Sequence, residues 1–142
     1  MDPREFQRLA VQLAASASAA ERRTSVSRCY YAVFNVAAEH LRSLKFPVGK
    51  GAAAHGEVRL CLINSGVFDL MDAGATLQVL HTARIRADYQ MERQDAESGS
   101  TASANVATAT RLIALLDQSF AGASRSKIQA SITQWRRANG YP

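Results

Sequence analysis

Only two cysteines occur in the 142 residues, Cys29 and Cys61, and neither belongs to a Cys-x-x-Cys or Cys/His spacing. That excludes a zinc ribbon and a disulfide-stapled scaffold, and it predicts two buried thiols in a reducing compartment. No stretch approaches the ~18 uninterrupted apolar residues of a membrane span, and Asp2 and Glu5 stand where a signal peptide would be basic, so the expected location is the cytoplasm. No hairpin signal and no internal repeat is visible. Gly49-Lys50-Gly51 lacks the spacing and the Ser or Thr of a phosphate loop, and nothing points to a metal or cofactor. Acidic residues are missing after Asp117, where Arg125, Lys127, Arg136 and Arg137 follow. With a net charge of +5 this permits a polyanionic partner such as RNA, although a solvated basic face on a terminal helix is the more economical reading.

What is present is helical periodicity. A chain that is 47% hydrophobic and 20% charged suits one soluble domain. Asp2-Pro3-x-Glu5 predicts a first helix running to about Ser16, and Ser18-x-x-Glu21 opens a second. Val26, Tyr30, Val33, Ala37, Leu41 and Leu44 recur at three- and four-residue steps along that second helix until Pro47, Gly49 and Gly51 stop it. A third is expected over 55–64, ending at Ser65-Gly66. A fourth starts between Asp69 and Asp72, carries Leu77, Leu80 and Ala83, and precedes a polar segment from Arg84 to Glu97. Glu97 to Thr101 reads as the clearest loop. A fifth helix carries Val106, Ala109, Ile113, Leu116 and Phe120. A short basic helix over about 124–138 closes the chain at Asn139-Gly140. The fold class predicted is an all-α, antiparallel up-and-down helical bundle: a single domain over 1–142, its four-helix core at about 3–122 and short accessory helices around it.

Two segments bear a family likeness. Ser27-Arg28-Cys29-Tyr30-Tyr31-Ala32-Val33-Phe34-Asn35 lies in the second helix, and Arg84-Ile85-Arg86-Ala87-Asp88-Tyr89 near the end of the fourth. In that order and about fifty residues apart, they resemble the motifs of the HEPN family of helical bundles, in particular its small bacterial stand-alone branch. The resemblance covers roughly residues 5–120. It implies a homodimer in prokaryotic defence or toxin–antitoxin systems, binding RNA or a protein partner such as a nucleotidyltransferase. Many members of the family are metal-independent endoribonucleases that use an Arg and, after four to six residues, a His.

Mapped on this sequence, Arg84 takes the arginine position, Tyr89 stands where the histidine belongs, and Ile85 replaces the usual asparagine. Metal-free RNA cleavage needs a base, an acid and a cation for the phosphorane charge. Tyrosine is a poor base, with a reference pKa of about 10. A local substitute is His81, which shares a helical stripe with Arg84 and Asp88 at steps of three and four and so offers an imidazole, a guanidinium and an orienting carboxylate. The Arg84–Asp88 spacing also fits an ordinary surface ion pair. Arg84 and Tyr89 lie about 140° apart on a regular helix and are expected to converge only through a helix break or a second subunit.

Arg28, Tyr31, Asn35 and Glu39 form a polar stripe on the second helix, which with Arg86 is the candidate groove for RNA or a partner; a solvated face is the competing reading. Tyr30 is assigned to the core, His40 to the surface, and His55 to a capping or packing role. A purely structural interaction module remains the third functional alternative.

Overall fold

Each helix starts or stops where a local group satisfies backbone atoms that would otherwise lack partners. In the computed structural model, which describes residues 1–142, helix α1 spans Arg4–Ala14, with Asp2 Oδ1 accepting the Arg4 N–H at 2.9 Å. Helix α2 spans Ala19–Ser43 behind Ser18, whose Oγ accepts the Glu21 N–H at 3.4 Å. It ends in a Schellman turn: Phe46 N–H donates to Leu41 O at 3.0 Å and Lys45 N–H to Arg42 O at 2.9 Å. The residue in the left-handed position of that turn is Lys45, at φ 69°, where glycine is usual.

Helix α3 spans Ala52–Ile63, α4 Phe68–Tyr89, α5 Gly99–Ala121 and α6 Arg125–Ala138, with a short 3-10 turn at Gln94–Glu97. The chain is thus all-α, a helical bundle of six α-helices with no strand, as the periodicities predict. α4 carries the Arg84–Tyr89 segment in its last turns, with Arg84 and Asp88 paired along it at 2.9 Å. The expected loop at Glu97 to Thr101 is instead the start of α5, where Ser98 Oγ accepts the Thr101 N–H at 3.1 Å.

By contacts the chain divides into two compact units. The first comprises Met1–Val36 and Leu77–Ile113. Its four helical segments are drawn together by small side chains: Val26, Ala87 and Ala102 form a buried cluster against Ala14 and Ala83. Alanines at these positions let helix backbones approach closely. Ser25 Oγ donates to Ala10 O at 2.7 Å, and Gln7 Nε2 to Thr110 Oγ1 at 2.8 Å, tying α1 to α2 and α5.

The second unit comprises Ala37–Thr76 and Ala114–Pro142. Leu62, Leu70, Leu116, Phe120, Ile128 and Ile132 are buried in it. Gly74 lets α4 close on α3, since a Cβ there would lie 2.9 Å from Ile63 Cγ1 and 3.1 Å from Arg59 O. Arg136, which the sequence places on a solvated basic tail, is instead 3% exposed. Its Nη1 donates to Glu57 Oε1 at 2.6 Å and its Nη2 to Pro142 O at 3.0 Å. His40 is not a free surface residue either: its Nε2 lies 2.7 Å from Asp117 Oδ1, and its ring stacks on Phe120 at 4.6 Å. Cys29 and Cys61 are buried free thiols, as expected, and burial pushes the Cys29 thiol up to about 12. No helix is long and apolar enough to cross a membrane.

Candidate functional site

Within the first unit, the two sequence motifs meet. Ser27 Oγ, on α2, donates to Asp88 Oδ2, on α4, at 3.1 Å. Four residues further along α2, Tyr31 presents its ring to Arg84, whose Cζ lies 5.1 Å from the ring centroid. Arg28 approaches the same ring, with its Cζ 4.8 Å from the centroid, and sits 4.9 Å from the Phe6 ring of α1. Arg28 is therefore held between two aromatic side chains, and Tyr31 serves two guanidiniums. Such cation–π contacts stabilise by ~0.5–2 kcal/mol each, more when desolvated.

Arg84 Nε lies 2.9 Å from Asp88 Oδ2, with side-chain exposures of 16% and 26%. The N–H does not point at that oxygen, so the contact is an ion pair without a hydrogen bond, and Arg84 Nε is buried with no hydrogen-bond acceptor. Arg28 Nε is buried in the same state, although Arg28 Nη2 donates weakly to Ser27 Oγ at 3.4 Å. Buried N–H groups of charged side chains without acceptors are costly, on the order of 1–3 kcal/mol each, and uncommon in folded proteins.

Arg84 and Tyr89 do converge within one chain and on an unbroken helix, contrary to the expectation from the helical wheel: Arg84 Cζ lies 5.4 Å from the Tyr89 ring centroid. The wheel compares Cα–Cβ directions, whereas a guanidinium on a four-bond stem reaches round the helix surface. Tyr89 itself is 68% exposed. His81 packs its ring against Tyr30, at 4.9 Å between centroids. Tyr30 is a core residue, 1% exposed, and burial raises its phenol above the usual range. Asn35 turns back on its own helix, Nδ2 donating to Tyr31 O at 2.7 Å, and Arg86 is exposed. Neither enters the Arg28–Tyr31–Arg84 cluster.

A third arginine, Arg23, fixes the end of α4, and sequence reasoning missed it. Its Nε donates to Glu97 Oε2 at 2.9 Å, Nη1 contacts the carbonyls of Arg86, Ala87 and Gln90 at 3.3, 3.0 and 3.2 Å, and Nη2 those of Met91 and Arg93 at 3.3 and 2.8 Å. Five N–H groups in a planar fork can serve a helix terminus and a carboxylate together. The neighbouring Arg22 adds bonds to Glu97 O at 2.6 Å and Ser16 O at 2.9 Å. The segment bearing Arg84, Asp88 and Tyr89 is thereby anchored at its C-terminal end. Phe6 and Ser27 were missed as site residues too; Ser27 stood inside a motif already singled out, while nothing in the sequence around Phe6 marks it.

Chemically, the cluster offers two cations, aromatic faces and a carboxylate held by Ser27. The cations and rings suit a phosphate with a stacked base beside it, while the carboxylate holds Arg84 in place. No group of three or more His, Cys, Asp or Glu side chains is placed to hold a metal ion. No protein-family model, curated protein or solved structure matches the chain.

Proposed function

We propose that the chain is a HEPN-type helical bundle of a prokaryotic defence or toxin–antitoxin system, working as a homodimer and binding RNA at the Arg28–Tyr31–Arg84 cluster. One observation carries the reading: both guanidiniums rest on the Tyr31 ring, and the Nε of each is buried without an acceptor. An RNA phosphate would be drawn by the two guanidinium charges, and an unpaired base would stack on the exposed Tyr89 ring. The excess of positive charge favours approach of a polyanion.

The test is fluorescence anisotropy of a labelled single-stranded RNA in EDTA, with wild type, Arg28→Gln, Arg84→Gln and Tyr31→Leu. Each substitution should weaken binding at least about tenfold. Each arginine variant should also flatten the salt dependence by about 0.7 in log–log slope, the value for one lost phosphate contact on a single strand. No binding at micromolar protein would defeat the reading. Association with a co-expressed protein, such as a nucleotidyltransferase, would then be the function of the cluster.

A second reading, metal-independent endoribonuclease, is favoured by the Arg84–Tyr89 approach and by Asp88, which Ser27 and Arg84 hold in place. RNA cleavage in EDTA that disappears in Arg84→Ala would establish it. His81→Ala and Tyr89→Phe would then separate the two candidate proton carriers.

A further inference from the structure

Helix α6 buries Ile128, Ile132 and Arg136 on one side, where Arg136 holds Glu57 of α3. Its opposite side carries Ser126, Ala130, Gln134 and Arg137, all exposed, with Thr133 half-buried beside them. These residues line a shallow hollow of about 850 Å3. The polar side chains of α6 divide by what they bond. Arg125 donates to Phe120 O and to Ser43 Oγ, each at 3.2 Å, and Gln129 to Leu44 O at 3.4 Å, so with Arg136 they fasten the helix. Lys127, Gln134 and Arg137 have no side-chain partner within the chain. No acidic residue follows Asp117, so nothing on α6 itself answers these charges, although soluble surfaces usually intersperse both signs. Lys127 moreover stands in the first turn, where the helix dipole opposes a cation. Lys45 adds a charge on the flank: it shares a pocket of about 240 Å3 with Thr133 and Arg137, and it is a lysine at φ 69°, where glycine would sit without strain. Lys127 marks the other flank, its Cε 3.5 Å from the position of a Gly66 Cβ.

We propose that α6 enters the major groove of B-form DNA, its outer side against the base edges and Lys45 and Lys127 on the phosphates to either side. The dimensions agree: an α-helix is about 10–12 Å across, the groove is about 12 Å wide, and the 14 residues of α6 extend about 21 Å along it. Ser126 and Ala130 keep the leading side slim where it comes nearest the bases. Gln134 and Arg137, three residues apart and therefore neighbours on the helix, match the N6/N7 pair of adenine and the O6/N7 pair of guanine. Other polyanions and partners fit this face less well. Its nearest aromatic ring, Trp135, is stacked on Tyr141 at 5.1 Å between centroids, so no free ring awaits an unpaired base. The outer side also lacks the large apolar anchor that holds a protein partner. An RNA duplex is excluded by its A-form major groove, which is too narrow to admit a helix.

This second activity goes beyond the proposed function and shares no residue with the Arg28–Tyr31–Arg84 cluster, so either can fail without the other. The experiment is fluorescence anisotropy of a labelled mixed-sequence DNA duplex, an RNA duplex of the same sequence and single-stranded RNA, over a range of salt concentrations. Circular dichroism confirms that each variant is folded. Wild type should bind the DNA duplex at least about tenfold more tightly than the RNA duplex. Lys127→Gln and Lys45→Gly should each lower the log–log salt slope by about 0.9, the value for one lost phosphate contact on B-DNA, even though Lys45→Gly relieves the turn that ends α2. Ala130→Glu, which sets an acid at the centre of the outer side, should weaken DNA binding at least about tenfold and leave the single-stranded RNA curve unchanged. Selection from a randomised duplex pool should return a preferred sequence that Gln134→Ala and Arg137→Ala relax. No binding to the DNA duplex at micromolar protein, equal affinity for the two duplexes, or DNA affinity indifferent to Ala130→Glu would overturn the inference. Binding of labelled polyglutamate in place of DNA would also overturn it, and would assign the face to an acidic polypeptide.

Discussion

Replacing Arg23 by alanine should be among the most damaging single substitutions in the first unit, although Arg23 touches neither Arg28 nor Arg84. The guanidinium reaches one carboxylate oxygen and five backbone carbonyls, and the side chain is 9% exposed. A hydrogen bond to a charged group contributes a net ~1.5–3 kcal/mol, and breaking a buried ion pair costs ~3–5 kcal/mol because its partner keeps its charge. Glu97 retains 33% side-chain exposure, so water can take up part of that debt, which points to the lower end, about 3 kcal/mol for Arg23→Ala. Against a total stability of ~5–15 kcal/mol this is a large share.

Arg23→Lys separates charge from geometry. An ammonium has three donors on one atom and cannot span Glu97 and the carbonyls of Ala87 and Arg93 together, so the lysine variant should still lose about 2 kcal/mol. Urea unfolding followed by circular dichroism gives both numbers, with the slope unchanged. Hydrogen exchange should show the amides of residues 90–97 losing protection before the rest of the chain. A loss under about 1 kcal/mol for the alanine variant, or a lysine variant equal to wild type, would refute the clamp.

Lys45→Gly should stabilise by about 0.5–1 kcal/mol in the same assay, because glycine relieves the φ 69° conformation in the turn ending α2. Gly74→Ala should destabilise by about 1–3 kcal/mol, since the new methyl meets the Arg59 carbonyl at 3.1 Å and α3 must move. The Cys29 thiol stays neutral in the folded chain up to about 12, whereas an unfolded chain ionises it from 9.0 upward. Stability should therefore be unaffected by this group below about pH 9 and fall above it by ~1.4 kcal/mol per pH unit; Cys29→Ala should remove that slope in urea titrations repeated at pH 8 to 10.5. Arg84→Leu should cost about 1–2 kcal/mol of stability while abolishing RNA binding, because it removes the ion pair to Asp88 and the contacts to the Tyr31 and Tyr89 rings, with Ser27 still donating to the carboxylate left behind.

The helices were legible in the sequence because their apolar stripes are periodic and their caps are local. Val26 to Leu44 announces α2, and Ser18 satisfies an amide three residues on; the equivalent cap at Ser98 was hidden in a segment that reads as loop. What escaped was everything that depends on a partner far along the chain. Arg136 belongs to a basic terminal segment until Glu57, 79 residues away, is brought to it. Arg23 looks like any surface arginine until α4 ends above it. The two motifs were recognisable, and their meeting through Ser27–Asp88 and Arg84–Tyr31 lies within the first unit. Side-chain reach was the other blind spot: helical spacing put Tyr89 away from Arg84, and a long guanidinium stem closes that gap.

The arginines of this chain sort into two kinds, and the difference bears on the proposed function. Arg23 and Arg136 are buried with their charges answered, by Glu97 and carbonyls in one case and Glu57 and Pro142 O in the other. They act as folding residues, and nothing about them asks for a ligand. Arg28 and Arg84 are placed just as carefully, against Phe6, Tyr31 and Tyr89, and Arg84 is paired with Asp88, yet each keeps an Nε–H without a hydrogen-bond acceptor. If stability alone governed position 28, leucine or methionine would fill the same space against the rings without stranding a donor. Two guanidiniums held against one tyrosine ring also repel each other, which raises the cost further. An anion brought to the cluster would offset that repulsion, so the two cations are least comfortable when unliganded and gain from a phosphate.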